Sequence, residues 1–125
     1  MKKHPHDDSI QNRLNSERNI WFATVRPDGK PHLVPLWFIW QNETFYVCIQ
    51  PDSIKAKNLE LNSQVALSLE DGSSVVICEG KATAVQKPWL QSVQNMFLEK
   101  YDWSIATSVD YTLLVAIKPT KWLIW

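Results

Sequence analysis

The stretch NIWFATVRPDGKPHLVPLWFIW, residues 19–40, decides the fold. Residues 19–26 form an apolar run rich in strand-favouring side chains. Pro27-Asp28-Gly29-Lys30 then supplies a preset φ, a side-chain acceptor and a residue free to take positive φ, which together make a turn. Residues 31–40 return as a second, longer strand. Pro35 lies within that run and has no N–H for a ladder, so the strand needs an unpaired or bulged position there. Two long apolar strands joined by so short a turn are antiparallel neighbours, and both need cover on more than one face.

Working outward, Gln41-Asn42-Glu43 makes another turn and residues 44–50 (TFYVCIQ) a third strand, with Phe45, Val47 and Ile49 alternating against Tyr46 and Cys48. Pro51-Asp52-Ser53 breaks it. IKAKNLEL (54–61) follows as a short helix with Asp52 or Ser53 as its cap. Residues 64–70 are a fourth strand, Asp71-Gly72 a turn, and residues 73–85 a fifth strand in which Gly80 marks a bend or bulge. Upstream, residues 8–18 read as an amphipathic helix with Ile10 and Leu14 on one face. Downstream, Lys87-Pro88 opens a further helix, with Pro88 in its first turn and Trp89, Val93, Met96 and Phe97 on one side. Residues 109–117 form a sixth strand, ended by Lys118-Pro119-Thr120. The expectation is a mainly β chain with helices, an α+β protein. Its six antiparallel strands close into a barrel with helices packed outside, as one domain spanning 1–125.

Composition narrows the function. The 125 residues are 45% hydrophobic and 21% charged, and the formal net charge is zero. Zero charge with only Arg13, Arg18 and Arg26 as arginines argues against a nucleic-acid role, although exposed aromatics on a small barrel could stack single-stranded bases. No run approaches the roughly 18 apolar residues of a membrane helix. Met1–Asp8 is charged and lacks the apolar centre of a signal peptide, so the expected location is cytoplasmic. Cys48 and Cys78 lie in apolar strands and read as buried, reduced thiols without metal-ligand spacing. Seven tryptophans are more than one small core can bury, which points to a second surface covered by a partner subunit or a flat ligand.

The segment Gln50-Pro51-Asp52-Ser53-Ile54-Lys55-Ala56-Lys57-Asn58-Leu59 carries the chemistry. A strand ends and a helix begins beside a hydroxyl and two lysines. Free N–H groups and the dipole at a helix start attract phosphate. A capped surface helix with two solvated lysines would read the same way. Lys55 and Lys57 are two apart and do not share a face, so one of them, Lys55, is expected to meet the phosphate.

Three pieces, D-G-x-P-x-x-x-P-x-W in the first hairpin, K-x-x-N-L from Lys55, and Glu79-Gly80, carry a resemblance across residues 10–118. Together they resemble the pyridoxamine-phosphate-oxidase-like, FMN-binding split-barrel superfamily, and within it the short bacterial members that use flavin or the deazaflavin F420. The resemblance implies a homodimer with flavin mononucleotide (FMN) in clefts between subunits and a small organic substrate, with F420 as the alternative cofactor. In this chain His32, Val34, Pro35, Leu36 and Trp37 would run along the ring and ribityl chain. Ile49, Gln50 and Ser53 would line the ribityl and phosphate end, and Lys55, helped by Lys57 or Asn58, would hold the phosphate. Val75 and Ile77 would reach the ring. Partner aromatics, from Trp89, Tyr101, Trp103, Trp122 or Trp125, would cover it. The acidic tail of F420 would call on Lys2, Lys3 or Lys30.

The departures matter. Ile54 stands where the oxidases have an arginine, and Val75 where they have a glutamine. No histidine follows His32, and no late arginine is present to fork onto a substrate phosphate. Oxidation of the vitamin phosphate itself is therefore not expected. The expected function is a flavin-dependent oxidoreductase, with a non-catalytic flavin carrier or sensor as the alternative. No nucleophile–His–acid arrangement is evident, and none is needed where a cofactor carries the electron chemistry.

Overall fold

The computed structural model describes residues 3–125; Met1 and Lys2, the latter among the candidates for the F420 tail, lie outside the described residues. Its elements in chain order are α1 (Asp8–Ser16), β1 (Ile20–Val25), β2 (Pro31–Leu36), β3 (Ile39–Gln41), β4 (Thr44–Ile49), α2 (Ile54–Leu61), β5 (Gln64–Ser68), β6 (Val76–Ala84), α3 (Gln91–Tyr101), a 3₁₀ turn (Ile105–Thr107) and β7 (Leu113–Ile124). The seven strands form one curled antiparallel sheet in the order β2-β1-β5-β6-β7-β4-β3. This is the split barrel, with seven strands where the sequence reading gives six.

The extra strand arises because the run 31–40 breaks at Trp37-Phe38. Its first half pairs with β1 and its second half with β4, at opposite ends of the sheet. The chain itself thus ties the two edges of the sheet together. Tyr101 holds the break: its hydroxyl accepts from Phe38 N at 2.9 Å and lies 2.7 Å from Arg18 O, to which it donates. Lys100 Nζ donates to Phe38 O at 2.9 Å. Pro35 sits in the edge strand β2, opposite Trp21, where its missing N–H costs no ladder bond.

Two further boundaries differ from the sequence reading. The last strand runs from Leu113 to Ile124 rather than 109–117, because Pro119-Thr120 is absorbed by a bulge instead of ending it. The β6–β7 register shifts between Glu79 and Gly80, so that Gly80 faces Pro119 and Thr120 is the extra residue. A Cβ on Gly80 would stand 2.7 Å from Lys118 O, which is why this position is glycine. The third helix starts at Gln91, not at Pro88; the Lys87–Pro88 bond is cis, and Trp89 packs beneath the helix from the preceding loop. Ser53 caps α2, its Oγ accepting from Ala56 N at 3.3 Å.

The inner face of the sheet holds the main core, built on Phe22, Phe38, Phe45, Ile49, Leu67 and Ile117 and plugged by Ile10 and Leu14 of α1. A second core lies outside the sheet under α3, around Val93, Phe97, Ile105 and Leu114. Cys48 and Cys78 are buried and unpaired, and burial raises their thiols to about 11 and about 12, so both stay protonated. No helix among the described residues is long and apolar enough to cross a membrane.

Candidate functional site at the split of the barrel

The barrel is open along one seam. β3 pairs with β4 only over Thr44–Tyr46, so Val47–Ile49 have no partner on that side. β2 is an edge strand, so its outer backbone is unpaired as well. Pro35, Leu36 and Trp37 from one edge and Cys48 from the other line a common cavity of about 390 Å³, completed by Trp103 and Tyr111. Strand β4 leaves this seam through half-buried Gln50 and enters α2 at Ser53. Two bare backbone edges with a helix start at one end can bind a ligand through main-chain groups.

Basic side chains flank α2. Arg26 follows β1, and its Nη2 lies 3.2 Å from His32 Nδ1 on β2. A guanidinium only donates, so His32 Nδ1 accepts and its proton resides on Nε2. The His32 pKa is lowered, first by burial, then by the charges of Arg26 and Lys55. Lys55 is itself half-buried, and burial lowers its pKa. Among the described residues neither Arg26 nor Lys55 pairs with a carboxylate. Arg26 and His32 thus stand together without a carboxylate, close enough to Lys55 for its charge to act on His32; Lys55 lies in the first turn of the eight-residue α2, whereas Arg26 lines a depression with Leu61 and Asn62 at that helix's far end.

The residues singled out from the sequence fall into two groups. His32, Val34 and Leu36 are half-buried and lie opposite Thr24, Phe22 and Ile20, on the inward face of β2. With them go Gln50, Ser53 and Lys55. The Ser53 hydroxyl donates to Gln50 O at 2.7 Å while capping the helix, so Ser53 shapes the turn and leaves main-chain N–H groups as the local donors. Lys57 is exposed. Asn58 is buried, and its Nδ2 donates to Thr24 Oγ1 at 3.0 Å, tying α2 to β1. Ile49 is fully buried in the core, so only its backbone is available.

The second group lies on the opposite face of β2. Val75 and Trp125 exchange backbone hydrogen bonds at 2.7 and 3.1 Å. With Trp21, Leu33 and Ile77 they surround an apolar depression of about 410 Å³ on the outside of the sheet. Of the seven tryptophans, Trp21, Trp37 and Trp125 are exposed. Trp122 instead packs within its own barrel, edge-on to Trp40 at 5.7 Å and tilted against Phe45 at 5.9 Å. Trp89 and Tyr101 are likewise buried in their own chain.

Arg26 and the Tyr101 brace escape a reading of the sequence by motif. Arg26 had a signal: the register of the hairpin sets Thr24 against His32, which brings the residue two further on to the same end of β2. Tyr101 had none, since its partners lie 63 and 83 residues away.

The pyridoxamine 5'-phosphate oxidase family model matches residues 6–125. The chain belongs to that family. Solved structures with the same fold include the heme storage protein HutZ of Vibrio cholerae, 21% identical over 99% of this chain and 95% of that one, TM-score 0.79. An F420 reductase is 23% identical over 90% of this chain and 94% of that one, TM-score 0.74. A conserved hypothetical protein of Mycobacterium tuberculosis is 26% identical over 95% and 83%, TM-score 0.76. No curated protein matches.

Proposed function

We propose that the chain is an FMN-binding flavoprotein that works as a homodimer and transfers electrons to a small organic substrate. The observation that carries this is Lys55 in the first turn of α2, without a carboxylate partner and close enough to act on His32, which Arg26 holds from the other side. A phosphate supplies the missing negative charge there, with Lys55 and Arg26 as charged donors and the first N–H groups of α2 as neutral ones. From His32 to Trp37 the extended strand runs roughly 16 Å at about 3.3 Å per residue, enough to lie along a ribityl chain and reach a ring. When bound, FMN supplies the redox chemistry, and the protein supplies position, cover and exclusion of water.

The two groups of site residues lie on opposite faces of β2, and one flat cofactor meets only one of them within a single chain. A second copy resolves this: one protomer gives the seam, and its partner gives the outer face with Val75 and Trp125. Membership of the family supports this arrangement. Oxidation of pyridoxamine phosphate is disfavoured, since Arg13 and Arg18 are engaged by Glu17 and Lys100 O and Arg26 stands beside His32 in the cluster proposed for the flavin phosphate, which leaves no arginine for a substrate phosphate.

The F420 reductase fold favours a second reading, in which the deazaflavin replaces FMN and Lys3 or Lys30 meets its acidic tail. Titration of flavin-free protein with FMN and with F420, read by fluorescence, separates the two. Lys55→Ala should weaken binding of the preferred cofactor about 10- to 100-fold, the worth of one charge-assisted hydrogen bond of about 1.5–3 kcal/mol. Absence of binding to either cofactor, or a Lys55→Ala protein that binds as well as its parent, overturns the assignment.

A further inference from the structure

A second cavity, of about 420 Å³, opens where the ends of α1 and α3 meet β3, and it shares no wall residue with the seam cavity. Its size lies within the roughly 300–1,000 Å³ of ligand clefts. Ile39 and Trp40, both buried, and half-buried Met96 give it an apolar side. Arg18, Lys100 and Glu99 give it a charged one.

The two cations are not balanced. Lys100 is half-buried, with its Nζ 3.9 Å from the centre of the Phe38 ring. An ammonium has three donors, and Lys100 uses one among the described residues, on Phe38 O at 2.9 Å. Arg18 lies over the stacked rings of Tyr101 and Trp37, at 4.8 and 5.8 Å, part of the aromatic wall at the break. Of its five donors it uses one, Nη1 on Lys100 O at 2.7 Å. Neither cation pairs with a carboxylate among the described residues. Glu17 is bound to Arg13 at 2.6 Å, and Glu99 lines the cavity without reaching either cation. The imbalance acts on Lys100 itself. Burial and then Arg18 lower its pKa to about 8, more than Glu17 restores. A partly desolvated charge without a partner is costly, and a bound anion relieves it.

We infer that this cavity binds a small organic monocarboxylate, one carboxylate carried on a compact apolar body. The carboxylate accepts from the free edge of the Arg18 guanidinium and from the two unused protons of Lys100. The apolar body displaces water from Ile39, Trp40 and Met96. One negative charge fits and two do not. The last turns of α1 and α3 bring partial negative charge to the rim, and Glu99 brings a whole one. The Trp40 N–H is used on Gln11 Oε1, so the apolar side has no donor to offer a phosphate. The cavity therefore takes a carboxylate and not the phosphate of the vitamin. This site stands on its own residues and holds whether or not the chain binds flavin.

Calorimetric titration with phenylacetate at pH 7 tests it. Phenylacetamide keeps the shape without the charge, and acetate keeps the charge without the ring. The expected result is saturable binding of phenylacetate, at least about tenfold tighter than either comparison molecule. Arg18→Gln should weaken it by about the same factor. Glu99→Gln removes the competing carboxylate at an exposed position and should tighten binding several-fold, a gain that a damaged fold cannot produce. Lys55→Ala should leave the affinity unchanged. Phenylacetamide or acetate binding as well as phenylacetate, absence of saturation, or an affinity that Arg18→Gln or Glu99→Gln leaves where it was overturns the inference. So does weakened binding in Lys55→Ala, which would put the acid at the start of α2. FMN titrated in parallel keeps the two readings apart: FMN binding lost in Lys55→Ala with phenylacetate binding kept supports both, and phenylacetate binding without FMN binding keeps this site and removes the flavin.

Discussion

His32 shows how one contact sets the behaviour of a site. Burial lowers the pKa of its ring, and Arg26, a group that cannot give up its proton and whose Nη2 stands at Nδ1, lowers it further, so the ring is neutral at pH 7. A bound phosphate reverses the local field and favours the protonated ring. Proton uptake should therefore accompany FMN binding, and the affinity should rise as pH falls from 8 to 6.5. One linked proton limits the gain to at most about tenfold per pH unit. His32→Gln should flatten the profile, and staying above pH 6.5 keeps the phosphate's own ionisation near pH 6 out of the window. Calorimetric titration in two buffers of different ionisation enthalpy reads the proton directly. A pH-independent affinity in the parent protein would show that His32 does not face the phosphate.

At the scale of elements, the hairpin β1–β2, the helix α2 with its Ser53 cap, and the bulge at Gly80 were legible in the sequence, because each is specified by neighbours within a few residues. The break at Trp37-Phe38 was not. Residues 31–40 are continuously apolar, and only distant partners, Tyr101 and Lys100, turn the chain there. The continuation of β7 through Pro119 was hidden for the same reason: a proline at a bulge reads locally as a stop. The site inherits this division. Ser53 and Lys55 lie in a local motif, whereas the aromatic wall exists only once α3 and the following loop fold back on the break. Lys100 gives this brace a pH signature. Burial, then Arg18, lower its pKa to about 8, outweighing the opposing effect of Glu17. The unfolded chain, with an ordinary value near 10.5, therefore holds more protons above pH 8, so this group's cost falls as pH rises. Relative to Lys100→Met, the parent protein should gain thermal stability between pH 8 and about 9.5 and show no relative change below pH 7. Tyr101, raised to about 12 mainly by burial, works in the opposite direction only from about pH 10 upward. Melting temperatures of both proteins across that range check the slope. Parallel curves would mean that Lys100 is solvated.

The outer face of the sheet is covered by α3 in one part and left bare in another. There Trp21 on β1 is 38% exposed, Leu33 on β2 59% and Trp125, just beyond β7, 55%, all around one depression. A contiguous apolar patch of this kind costs solubility unless something covers it. The proposed dimer covers it and brings Val75 and Trp125 to the partner's seam, which makes subunit association and cofactor binding one equilibrium. Leu33→Glu tests this linkage. Leu33 is an exposed side chain on an edge strand, so the substitution should leave the fold of a lone chain within about 0.5 kcal/mol. In the dimer it would bury an unpaired carboxylate, at a cost of several kcal/mol. Sedimentation should then show a monomer where the parent is a dimer. FMN affinity should fall with it, although Leu33 lies on the face of β2 away from the phosphate cluster. Adding FMN should drive the parent, but not the variant, further toward dimer. A Leu33→Glu protein that stays dimeric would place the interface elsewhere, and a monomer that binds FMN as tightly as its parent would mean that the seam holds the cofactor unaided.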